Sequence, residues 1–258
     1  MAEAPIGPLI LSLAIPSILS MLVMTLYNTA DTYFVSQLGT SASGAVGIVF
    51  SLMSVIQAIG FTLGMGSGSM ISRLLGAGEN KKAGVYATTA IIGAFLLGLV
   101  ICISGLFTLD KLMLLLGSTP TILPYAKNYS EYILFGAPIM CSSFTMNGVL
   151  RSEGHSAFAM CGIMSGSILN IALDPIFIFR FGLGIAGAAM ATLLCQCISF
   201  SVLLSFFLRK KSIVRLHFKN LSRNARTYFD ILRLGFPSLS RQGLAGISTA
   251  ALNVAASS

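Results

Sequence analysis

The stretch LILSLAIPSILSMLVMTLYNTADTYFV, residues 9–35, decides the fold, because a single charged residue, Asp31, interrupts an otherwise uncharged run. About 20 apolar residues, in a helix rising about 1.5 Å each, cross the hydrocarbon core of a bilayer. Outward from this run, five more stretches between charges have the same character, at about residues 45–72, 85–109, 128–150, 156–179 and 186–208. A seventh begins near Gly235 and runs to Ser258 with Arg241 as its one charge. The composition agrees. Of 258 residues 55% are apolar and 9% charged, where a soluble domain carries about a quarter charged, and mean hydropathy is +0.87. A water-soluble fold and a disordered chain are both excluded. The first run is longer than a secretory h-region and no basic residue precedes it, residues 1–3 being Met, Ala and Glu. It reads as a retained span and not a cleaved signal. The expected architecture is all-α, a polytopic membrane protein.

Charge then orients the chain. Sixteen Lys and Arg against eight Asp and Glu leave a net +8. The second, fourth and sixth connections between spans hold 12 of the basic residues, and the first, third and fifth hold 3, namely Lys111, Lys127 and Arg180. Basic loops stay in the cytoplasm, so the N-terminus is expected inside and odd spans run outward. This bias accounts for the charge without a nucleic-acid site. The longest connection, with Arg209, Lys210, Lys211, Arg215, Lys219 and Arg223 among apolar residues, is expected to rest on anionic membrane lipids. The chain divides into a six-helix transmembrane lobe at 1–208, a basic cytoplasmic linker at 209–233 and a partial seventh transmembrane helix at 234–258.

Ionisable groups inside a bilayer are costly, and each one is a candidate for function. Asp31 lies late in the first span and Asp174, in Asn170-Ile171-Ala172-Leu173-Asp174-Pro175, late in the fifth. Counting the helical rise from each span's start puts the two carboxylates about 33 Å and about 27 Å along, at a similar level in the outer half. Asn170 stands one turn before Asp174 on the same face, and Thr192 enters from the sixth span at a matching depth. Each aspartate alone has an ordinary reading, Asp31 as an interfacial residue and Asp174 as a helix-ending Asp-Pro. Their shared level and chemistry argue for a pair. Carboxylate, amide and hydroxyl oxygens suit a proton or a hard cation and not a soft transition metal.

Proline and glycine add mechanics. Pro16, Pro138 and Pro175 cannot donate to the carbonyls of Ser12, Leu134 and Ile171, and each can kink its helix or act as a hinge. Gly60, Gly64 and Gly68 form a small-residue ladder for close helix packing. Five cysteines (Cys102, Cys141, Cys161, Cys195, Cys197) lie in apolar runs with no disulfide framework spacing. His155 and His217 fall in or near cytoplasmic connections. No catalytic triad, metal cluster or nucleotide fingerprint can be assembled, so the chain is not expected to be an enzyme.

Leu13-Ala14-Ile15-Pro16 followed by Ala30-Asp31-Thr32-Tyr33, and Gly66-Ser67-Gly68-Ser69 through Arg73-Leu74-Leu75-Gly76-Ala77-Gly78, resemble the first helix and the second helix with its turn in the multidrug and toxic compound extrusion (MATE) family. Asn170 to Pro175 resembles its fifth helix, Gly184 to Thr192 its sixth, and Gly235-Phe236-Pro237-Ser238 the start of its seventh. The match runs over essentially the whole chain, and its flavour is that of the DinF-like and multidrug-exporting bacterial branches.

The resemblance implies twelve helices in two six-helix lobes. This chain would be the N-terminal half of a longer transporter, and the missing C-terminal lobe would be its partner. It implies an ion-coupled antiporter in the cell inner membrane that exports amphipathic or cationic drugs by alternating access, with H+ or Na+ as coupling ion and no other cofactor. Asp31, Asn170, Asp174 and Thr192 match the family's cation site. Asp31 and Asp174 would ligate the metal if that ion is Na+. Tyr129 matches an aromatic of the fourth helix near that level, and Asn147 falls where some members carry an acidic residue. With Pro16 and Pro175, these two mark the substrate pathway or hinge. Two other readings stay open, a flippase for lipid-linked oligosaccharide from a related branch and a non-transporting membrane assembly subunit.

Overall fold

The computed structural model of the chain describes residues 6–209, 211–216, 221–222 and 224–257. Lys210, His217, Lys219 and Arg223 of the linker, residues 1–3 and Ser258 lie outside the described residues. Eight α-helices follow one another: α1 (Ile6–Ser36), α2 (Thr40–Gly76), α3 (Asn80–Phe107), α4 (Leu109–Leu115), α5 (Leu123–Ser152), α6 (Ser156–Pro175), α7 (Gly184–Leu208) and α8 (Ala225–Ser257). A five-residue π-helical turn, Ile176–Arg180, continues α6 past Pro175. Among the described residues six helices are long and apolar enough to span a membrane, and they are those of the first six apolar runs.

The helices are those that uncharged runs of bilayer length must form, since inside lipid every backbone amide needs an intrahelical partner. Tight reversals separate them, with glycines in the left-handed region where the chain turns, such as Gly39 (φ 116°) between α1 and α2 and Gly154 (φ 85°) between α5 and α6. Helices α2 and α5 form the centre of the lobe and are mostly buried. Helices α1, α3, α6 and α7 form its rim and turn residues such as Leu22, Leu26, Val100 and Leu194 outward. The glycine ladder of α2 makes the central contact. A Cβ on Gly60 would meet Phe144 Cβ at 2.8 Å, and one on Gly64 the Phe144 carbonyl oxygen at 3.0 Å. With no side chain at these steps, α5 packs on the α2 backbone.

Two elements differ from the sequence reading. Residues 110–127 read as a plain connection, but α4 forms there, anchored by buried Leu109 and Met113. Lys127 on α5 pairs with Asp110 on α4 across the turn. The last helix begins at Ala225 and not near Gly235. Asn224 starts it, its Oδ1 accepting from the Arg226 amide at 3.0 Å, as helix-initiating Asn residues do. Tyr86 on α3 donates to Asp230 Oδ2 at 3.1 Å, and the Ser222 amide donates to Thr89 Oγ1 at 3.1 Å. These bonds tie α8 and the segment before it to α3, and α8 packs along α2.

The linker is anchored by one buried acid. Glu153, in the turn between α5 and α6, accepts from Ser212 Oγ at 2.7 and 2.9 Å, from the Ile213 amide at 3.0 Å and from the Val214 amide at 3.2 Å. His155 Nδ1 stands 3.3 Å from the same carboxylate. Removing this acceptor leaves buried donors without partners, at about 1–3 kcal/mol. Glu153→Ala is therefore expected to lower the unfolding temperature and to speed proteolysis within residues 211–216. An unchanged cleavage rate would show that the linker is held by something else.

Candidate functional site

Helix α1 packs along α6, with α7 beside them and α5 behind. This arrangement sets the late part of α1 against the late part of α6. Asp31, 7% exposed, projects from α1, and Asp174, fully buried, from α6. The two are close enough for their charges to interact. Tyr27, one turn before Asp31, and Tyr129 on α5 both stand in the electrostatic field of the two acids. Asn170 and Thr192 complete the cluster from α6 and α7.

Hydrogen bonds fix some of these groups and leave others open. Tyr129 Oη donates to Asp31 Oδ2 at 3.2 Å. Asn170 Nδ2 donates to Thr192 Oγ1 at 3.3 Å, which joins α6 to α7. Asp31 Oδ1, Asn170 Oδ1 and both oxygens of Asp174 are buried and accept no hydrogen bond among the described residues. Most buried side-chain polar groups in proteins have a partner, either protein or ordered water. Four such oxygens from three residues, with no thiolate or imidazole among them, are of a chemistry that suits a proton or a hard cation better than a soft metal.

The structure brings together Asp31, Asn170, Asp174, Thr192 and Tyr129. Pro175 follows Asp174 directly, and there α6 gives way to the π-helical turn. Pro16 lies four turns before Asp31 on α1, half-buried, where Ser17 and Ser20 return their hydroxyls to the Leu13 and Pro16 carbonyls at 2.9 and 2.7 Å. Asn147 sits apart from the cluster. It is buried near the C-terminal end of α5 and donates to the Ala159 carbonyl at 2.8 Å, which ties α5 to α6.

Sequence reasoning passed over Tyr27, Gln57 and Ser143. All three are buried and line a cavity of about 40 Å³ that opens below Asn170 and Thr192. The signal was present, since Gln57 is an amide in the middle of an uncharged run and Tyr27 precedes Asp31 by one helical turn. On the outer face of α1, Thr25, Asn28, Thr29, Thr32 and Tyr33 recur at helical spacing and line an open groove of about 640 Å³ closed on one side by Phe50. A polar stripe at membrane depth is poorly suited to lipid.

The MatE family matches residues 16–176. The multidrug export protein MepA of Staphylococcus saprophyticus is 28% identical over 93% of this chain, which covers 54% of that protein. An outward-facing multidrug resistance MATE family transporter of the MOP superfamily superposes with a TM-score of 0.85 at 36% identity, over 91% of this chain and 52% of its own. An inward-facing one superposes with a TM-score of 0.85 at 36% identity, over 93% of this chain and 55% of its own. The chain spans about half the length of the curated relatives it matches.

Proposed function

The chain belongs to the MatE family, and from that membership and the site's geometry we propose that it is one lobe of an ion-coupled antiporter that exports amphipathic, often cationic organic compounds. It is a multi-pass membrane protein, and the excess of basic residues in its even-numbered connections supports a cytoplasmic N-terminus. The observation that carries the proposal is the set of four buried oxygens of Asp31, Asn170 and Asp174 that accept no hydrogen bond. Such a set is costly unless a positive ion occupies it for part of the cycle.

In this reading H+ or Na+ enters between Asp31 and Asp174. Tyr129 and Thr192 orient the ligating groups, and Asn170 Oδ1 supplies a neutral ligand. Loading relieves the repulsion between the acids and changes how α1 packs on α6. The organic substrate uses the groove on α1, whose volume falls in the range of small-molecule sites, about 300–1,000 Å³. The second lobe closes that groove. An equal TM-score against outward- and inward-facing transporters supports a lobe that moves largely as one body. A differential of about 1–3 kcal/mol between the two states couples ion and substrate by about 5–150-fold.

Efflux of a fluorescent organic cation from vesicles bearing the full-length transporter tests this, with Na+ and pH gradients imposed separately. Efflux driven by one of the gradients is expected, and efflux indifferent to both overturns the proposal. Pro16 gives a second test. Proline inside a helix costs about 3 kcal/mol, so Pro16→Ala should raise the unfolding temperature while slowing ion-driven efflux. Faster or equal efflux in the stiffened helix removes Pro16 as a hinge.

A further inference from the structure

Beside Asn170 and Thr192, which stand next to the two carboxylates, the lobe encloses a cavity. The cavity that begins at Asn170 and Thr192 continues between α6 and α7 toward the basic end, walled on its other sides by α1, α2 and α5. Depth can be counted on α7, where the lining runs from Thr192 to Leu203, about 16 Å of helix. Leu203 is within about 8 Å of the helix end at Leu208. The wall stays polar on the way down, through Ser167, Gln57, Ser143 and Ser199. Ser199 Oγ donates to the Gly162 carbonyl at 2.6 Å. The Ser143 hydroxyl, buried to 5% exposure, has no hydrogen-bond partner among the described residues. A volume of about 40 Å³ is enough for a water or two, or for one partly dehydrated small cation. At the inner end Leu203 is fully buried, and its methyls press so closely on Gly162 that any side chain there would overlap them.

We propose that this cavity is the coupling ion's own passage, running inside the lobe from the Asp31–Asp174 pair to the basic face. Ser143 and Gln57 form a second, uncharged stop, and Leu203 is the inner gate. The ion and the organic substrate then use different routes, the ion through the lobe interior and the substrate along the groove on α1. Separate routes let the two exchange without meeting, so coupling rests on the α1–α6 packing between them. An apolar constriction such as Leu203 over Gly162 stays dry and closed until the side chain swings away. The inference rests on the reading of Asp31 and Asp174 as the coupling-ion site.

Cys195 lines the middle of the passage and carries a free thiol. It is a reporter for Ag+, a small monovalent cation that replaces the thiol proton and stays bound to sulfur. Ag+ is applied to one face at a time of right-side-out and inverted vesicles carrying the full-length transporter, and efflux is followed. Ag+ at the basic face is expected to block efflux at least about tenfold faster than at the opposite face. Cys195→Ala should abolish that block, Leu203→Trp should slow it and Leu203→Ala should speed it. Equal or faster block from the opposite face, block that survives Cys195→Ala, or no block from either face overturns the passage. Loss of ion-driven efflux in Asp174→Asn together with Ag+ entry only from the opposite face leaves the ion site standing and removes the passage alone. Ion-driven efflux that survives both Asp31→Asn and Asp174→Asn removes the ion site itself.

Discussion

Asp174→Asn in the full-length transporter is expected to reduce ion-driven efflux by about 5–150-fold, the range of an ordinary coupling free energy, while the protein stays in the membrane at normal abundance. The two halves of that expectation have one cause. Asp174 is fully buried and neither of its oxygens accepts a hydrogen bond among the described residues, so replacing the carboxylate breaks no such bond, and an ionised acid beside Asp31 is costly to hold there. An amide of the same shape removes that cost, and Asn170 Oδ1, one turn away and itself without a donor, offers its new N–H an acceptor. The variant should therefore melt no lower than the parent. Asp31→Asn should lose transport to a similar degree, since its Oδ1 is also orphaned while its Oδ2 keeps the Tyr129 hydroxyl. The double variant should be little worse than either single one, because two ligands of one ion act as a unit. Normal efflux in both single variants, measured with the gradient that drives the parent, would remove the acids from the mechanism. A large fall in melting temperature would instead assign them a structural role.

The spans were legible because lipid leaves the chain few choices. A run without charge and of bilayer length has to be a helix, and six such runs became α1, α2, α3, α5, α6 and α7. The depth of Asp31 and Asp174 was legible for a related reason, since a fixed rise per residue converts position in the chain into height in the membrane. Several features needed the fold. Glu153 next to Arg151 reads as a solvated charge in a turn, but its partners are the amides of Ile213 and Val214, some sixty residues downstream, and backbone amides leave no mark in a sequence. Helix α4 is seven residues long, too short to display a helical period. Tyr27 and Ser143 matter because α1, α2, α5, α6 and α7 enclose one cavity, and which helices are neighbours is not written in any single span.

The tightest helix contact at any glycine among the described residues gives the largest expected effect on stability. Helix α8 crosses α2 at two glycines, one from each. A Cβ on Gly66 would collide with the Ile231 carbonyl oxygen and come within 2.9 Å of the Gly235 nitrogen. A Cβ on Gly235 would collide with the Thr62 carbonyl oxygen and meet Thr62 Cγ2 at 2.8 Å. Both obstacles include backbone, which has no rotamer to yield, so one methyl has to push the helices apart. Overpacking a core usually costs about 1–3 kcal/mol and more where the neighbour cannot move. Gly66→Ala should therefore fall at or above the top of that range, and Gly66→Leu should keep α8 from docking at all. The expected signature is a lower melting temperature together with faster cleavage in residues 211–216, because the undocked helix also forfeits the Tyr86–Asp230 and Ser222–Thr89 bonds that hold the far end of the linker. Gly93→Ala is the matched control. It lies in α3 with nothing within 4 Å of its would-be Cβ, so it should gain about 0.5–1 kcal/mol from helix propensity alone. If Gly66→Ala and Gly93→Ala melt alike, the two helices are not in backbone contact, and α8 is free to pack elsewhere.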